Sequence, residues 1–122
     1  MKYQLTFCDI EQLSDNVFEG IPKEGVKLDR NCFDEYRNFW EKLQDKPFGL
    51  LINCEKPFLF SFEGSKNASP HPLQQKTAIL LNTNKLKENI KAAVKIKKLI
   101  ENNTTIEFFT DREEAILWLS AL

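Results

Sequence analysis

The sequence is poor in the residues that mark several function classes. It holds one histidine, three cysteines, four glycines and five prolines among 122 residues. Cys8, Cys32 and Cys54 are widely spaced and form no C-x-x-C pair. An odd count without a secretion signal reads as reduced thiols and excludes a disulfide-stapled secreted scaffold. A structural zinc needs about four Cys or His ligands at characteristic spacings. Three scattered Cys and His71, set between Pro70 and Pro72, do not supply them, so no metal or other cofactor is expected. Gly20, Gly25, Gly49 and Gly64 are isolated, which excludes a dinucleotide fingerprint and a phosphate-binding loop. No apolar run approaches the ~18–20 residues of a membrane span. Met1-Lys2-Tyr3-Gln4 lacks the apolar stretch of a signal peptide, so a cytoplasmic location is expected.

Net charge is also scarce. Seventeen basic and eighteen acidic residues leave −1, so no global field argues for nucleic acid. The near-zero value hides a cancellation. Residues 1–84 carry −2, residues 85–98 carry +5 from six Lys and one Glu, and residues 99–122 carry −4.

What is present fits an ordinary globular chain: 42% hydrophobic and 29% charged residues. A chain of this length buries about two thirds of its unfolded surface, enough for one core, and reads as a single domain over 1–122. Tyr3, Leu5 and Phe7 alternate with polar residues and predict a strand over about 2–8. Asp9 to Asn16 reads as turn-like, and Val17 to Ile21 as a second strand making an antiparallel hairpin with the first. Asp29 is the expected N-cap of a helix whose stripe is Phe33, Tyr36, Trp40 and Leu43, ending near residue 44 before Pro47. Phe48–Cys54 and Thr77–Asn82 are short apolar runs suited to central parallel strands. Residues 55–76 provide the crossover, with room for only a short helix. Asn84 opens a Lys-rich helix over about 85–101, and Thr105–Phe109 is a strand. Thr110 or Asp111 caps a last helix with Glu113 or Glu114 as the capping-box acid. The expected fold is α/β: a mixed sheet of about five strands with helices packed on it, in the order β-β-α-β-(short α)-β-α-β-α.

The closing segment Ile106-Glu107-Phe108-Phe109-Thr110-Asp111-Arg112-Glu113-Glu114-Ala115-Ile116-Leu117-Trp118-Leu119 resembles the last strand and helix of small bacterial domains related to STAS, the sulfate-transporter and anti-sigma-factor-antagonist family. Phe48-Gly49-Leu50-Leu51-Ile52-Asn53 resembles the central strand of the same domains. The resemblance implies a STAS-like fold and a non-enzymatic regulatory or interaction role, through protein contacts or a small ligand. Antagonists of this family carry an Asp-Ser-Ser-Gly-like element after the central strand. Here that region reads Asn53-Cys54-Glu55-Lys56-Pro57-Phe58, and Ser61, Ser65 and Ser69 do not match, so no phosphoacceptor is carried over.

Three places remain where function is expected to lie. Phe58, Phe60 and Phe62 follow a central strand, where open α/β sheets bind ligands. They read either as core packing or as an exposed apolar patch: the wall of a pocket for a small apolar or amphipathic ligand, or a homodimer contact. The Lys-rich helix reads as a solvated face or as a surface for an anionic group, with Lys91 and Lys95 as contact residues. It lacks the interleaved aromatics of single-strand nucleic-acid binders. Cys54, beside Lys56, has no positioned base in the sequence, and an inert thiol is the expectation. The expected function is a cytoplasmic regulatory or interaction module with an unidentified protein partner, or alternatively a carrier or sensor of a small apolar ligand.

Overall fold

A computed structural model describes residues 2–23, 27–28, 30–43, 45–53, 59–60, 73–81 and 105–121. Six strands form one mixed sheet: β1 (Lys2–Gln4), β2 (Cys8–Ser14), β3 (Val17–Pro22), β5 (Phe48–Asn53), β7 (Gln74–Leu80) and β8 (Thr105–Phe109), in that spatial order. β4 (Lys27–Leu28) and β6 (Leu59–Phe60) make a separate two-stranded parallel pair. Helix α1 (Arg30–Leu43) connects β4 to β5, and α2 (Arg112–Ser120) follows β8.

The α/β class, the parallel pairing of the two central strands and the antiparallel edge at the N-terminus are as expected. The N-terminal segment differs. The expected continuous strand over 2–8 breaks, because the chain turns back at Thr6 and Phe7, where the Leu5 N–H bonds the Cys8 carbonyl at 2.8 Å. Glu35 of α1 secures that turn by accepting from the Thr6 N–H at 3.1 Å and from its hydroxyl at 2.9 Å. Residues 9–14, expected to be turn-like, join Cys8 in β2, which pairs antiparallel with both β1 and β3. The main sheet therefore has six strands rather than about five. β7 also begins earlier than expected, at Gln74, because that polar residue is buried with its amide bonded. The expected helices over 55–76 and 85–101, and the Asp29 cap, lie outside the described residues.

Strand alternation divides the core into two layers. On one face Phe18, Phe48, Leu50 and Ile79 pack with Cys8, Ile10 and Trp40 of α1. Trp40 is fully buried at the centre, stacked on Phe48 with centroids 4.3 Å apart and edge-on to Phe18 at 4.8 Å. Such pairs add about 0.5–1.5 kcal/mol each beyond their area. On the other face Val17, Leu51 and Ala78 pack against Ala115 and Leu119 of α2. Gly49 allows that helix to sit close: a Cβ there would lie 2.9 Å from Leu119 Cδ2. α2 starts as its sequence predicts, with Asp111 as N-cap accepting from the Glu113 N–H at 2.9 Å.

Candidate functional site

β3, β5, β7 and β8 run in the same direction, so their carboxyl ends share one rim, and α2 begins there. In open α/β sheets this rim is where ligands bind. The alternation that turns Val17 and Leu51 toward α2 places Glu19 and Asn53 on the same face, two residues further toward the rim. Glu19 is buried, 3% exposed, and its side chain is held on both oxygens. Arg112 Nη2 donates to Oε1 at 2.6 Å, Arg112 Nε approaches Oε2 at 3.5 Å, and Asn53 Nδ2 donates to Oε2 at 3.0 Å. Arg112, in the first turn of α2, keeps 46% of its side chain exposed. Its hydrogen bond to Glu19 holds the guanidinium above its ordinary pKa, and Glu11 and Glu113 add to this. Glu11 stands directly opposite Glu19 in the β2–β3 register.

This geometry fastens the last helix to the middle of the sheet. A carboxylate acting as a general base must offer a lone pair to a substrate proton. Glu19 instead directs both oxygens at protein donors.

Two other polar positions lie in the aromatic layer. The Tyr36 hydroxyl donates to Gln74 Oε1, and Gln74 Nε2 donates to Thr77 Oγ1 at 2.8 Å. Burial pushes the Tyr36 phenol well above its usual range, so it stays protonated. Burial, with help from Asp9 and Glu35, pushes the Cys8 thiol up to about 12. The nucleophile is the thiolate, so such a thiol is inert near neutrality. Asp9 Oδ1 and Trp40 Nε1 are buried without a hydrogen-bond partner among the described residues.

No family model, curated protein or solved structure matches this chain. Among the described residues, no group of three or more His, Cys, Asp or Glu side chains is placed to hold a metal ion. No helix among them is long and apolar enough to cross a membrane.

Of the residues singled out from sequence, Phe60 lies in β6, paired with Leu28 of β4. Phe58, Phe62, Lys91, Lys95, Cys54, His71, Ser61, Ser65 and Ser69 lie outside the described residues. Asp111 is the N-cap, one of the two expected, and Glu113 contributes its backbone N–H to it. Glu19 and Arg112 were not anticipated as a pair. An acid inside the apolar run Val17-Phe18-Glu19-Gly20-Ile21 is a signal that it needs a partner, but the partner is 93 residues away.

Proposed function

We propose that this chain is a non-catalytic regulatory or protein-interaction module of STAS-like type, acting in the cytoplasm. The observation that carries the reading is the engagement of three titratable groups, one at the rim and two in the core. Glu19 is held by Arg112 and Asn53, while Cys8 and Tyr36 are held protonated by burial. Each serves the architecture and none is poised for proton or group transfer. The closing element supports the STAS-like part of the reading. The segment that resembles the family forms a strand and then a capped helix, with Ala115 and Leu119 buried on the sheet and Trp118 against Phe109. The rival expectation, an apolar-ligand carrier built on Phe58, Phe60 and Phe62, rests on side chains outside the described residues.

Affinity capture of the full chain from its native lysate tests the proposal. The expected result is a protein recovered in near-stoichiometric amount and displaced by excess untagged chain. If excess untagged chain displaces nothing from the captured material, the interaction role is wrong.

A further inference from the structure

α2 covers part of its face of the sheet. It packs over β3, β5, β7 and β8, while β1 and β2 lie beyond β3. The register shows which side chains stand on that outlying stretch. Glu11 opposes Glu19, whose side chain points to the α2 side, so Glu11 stands there too. Asp9 shares the face, two residues along the same strand. So do Lys2 and Gln4 of β1, opposite Glu11 and Asp9. Leu13 of β2 and Ile116 of α2 are both half-buried at the edge of the aliphatic layer. Lys2 and Gln4 are exposed, and among the described residues no helix lies over them. A sheet face that carries apolar side chains ordinarily packs against a further layer.

The charges on this stretch do not balance. Asp9, Glu11 and Glu19 meet Lys2 and Arg112, and Arg112 is already bonded to Glu19. Glu113 adds a further acid near Arg112. Glu11 directly opposite Glu19 is a pairing of like charges, which destabilises a sheet. Glu11 makes no hydrogen bond or ion pair among the described residues. Asp9 is more telling. Its Oδ1 is buried and has no hydrogen-bond partner there. Gln4 and Ile21 stand opposite it on the two neighbouring strands, and neither bonds it. A buried acceptor without a donor costs free energy, and in native structures such atoms are rare. Glu19, by contrast, has donors of this chain on both oxygens.

We propose that this face docks a basic segment of another protein, with an arginine at Asp9 and Glu11 and aliphatic side chains along Leu13 and Ile116. Asp9 and Glu11 are about 7 Å apart along one strand, two residues of rise. A guanidinium carries five N–H donors in a planar fork, so one arginine reaches both carboxylates and supplies the donor that Asp9 Oδ1 lacks. β2 and α2 both run back from the rim, so Leu13 and Ile116 continue the site in one direction from the acids. That apolar continuation favours a peptide over a small cation. The surplus of acid opposes an acidic partner or a nucleic acid. This partner deepens the interaction role proposed above, on which it rests.

Titration of the full chain with two synthetic peptides of equal length, one of Arg and Leu and one of Glu and Leu, tests the site by amide chemical shifts. The Arg peptide is expected to shift Gln4, Asp9, Glu11 and Leu13, and to bind more weakly as salt rises. The Glu peptide shifts none of them. Asp9→Asn with Glu11→Gln weakens the Arg peptide at least about tenfold. Asp34→Asn, at an exposed acid of α1, leaves its binding unchanged. The double variant keeps its denaturation midpoint or raises it, because neither carboxylate holds a bond in the fold and what Glu11 gains from Arg112 it loses against Glu19. A lowered midpoint places the two acids in the architecture and overturns the proposal. So do Arg-peptide shifts that fall elsewhere, or binding that survives in the double variant. A lysate partner captured equally by the unaltered chain and the double variant overturns the site and leaves the interaction role standing. Arg-peptide docking at these residues with no displaceable partner in the lysate supports the site and fails the role alone.

Discussion

Burial sets the Cys8 thiol apart from an ordinary cysteine. With its pKa moved from 9.0 to about 12, it carries about 1,000-fold less thiolate than an unperturbed thiol at neutral pH. Alkylation followed by peptide mapping is expected to leave Cys8 unmodified in the folded chain at pH 7 and to modify it fully in denaturant. Rapid labelling of Cys8 without denaturant would contradict its burial. The same shift has a stability consequence. The folded state holds this proton more tightly than the unfolded state, so the contribution is complete below about pH 9. It declines as pH rises from there toward about 12. Denaturation midpoints measured at pH 8 and pH 10.5 are therefore expected to fall with pH, and Cys8→Ala is expected to flatten that part of the slope. The sequence put Cys8 at the end of an alternating run. It could not show that Asp9 and Glu35 also raise its pKa, because Glu35 comes from a helix 27 residues on.

Among the elements, α2 depends on a glycine. Gly49 sits inside a buried strand, where glycine ordinarily weakens the sheet and alanine is an improvement. Here a Cβ meets Leu119 at 2.9 Å from Cδ2 and 3.2 Å from Cβ, so alanine must push the helix outward. Gly49→Ala is expected to cost about 1–3 kcal/mol in chemical denaturation. A neutral or stabilising result would mean that α2 does not sit this close. α1, α2 and the central strands were legible because their signals are local. The Tyr36–Trp40–Leu43 stripe, the run Phe48–Asn53 and the Asp111 cap all act within a few residues. The N-terminal strand pair was not. Residues 5–8 turn without glycine, proline or asparagine, and Glu35 supplies the restraint from α1. β2 was missed because Asp9, Glu11 and Gln12 made it read as polar turn. Cys8 and Ile10 still alternate inward, and the bulge between Gln12 and Ser14 disturbs the period beyond them.

Across the whole molecule, one face of the sheet carries an aromatic layer under α1 and the other an aliphatic layer under α2. The buried acid Glu19 links the second layer to the rim through Arg112 and Asn53. That link was invisible in the sequence because it joins β3 to a helix 93 residues later. Buried ion pairs are weak evidence for stability in general, since desolvation opposes the attraction. A pair kept for architecture behaves differently from a charge kept for chemistry: removing the second kind tends to stabilise the fold.

A double-mutant cycle on Glu19 and Arg112, read by chemical denaturation, separates the two cases and tests the non-catalytic reading most directly. The account predicts that Arg112→Ala costs about 1–3 kcal/mol, reduced from the fully buried case by the exposure of the guanidinium. It predicts that Glu19→Gln is also destabilising, and that the two couple by at least about 1 kcal/mol. Additive effects with a stabilising Glu19→Gln would contradict it, and would mark Glu19 as a charge retained for function at the rim of the sheet.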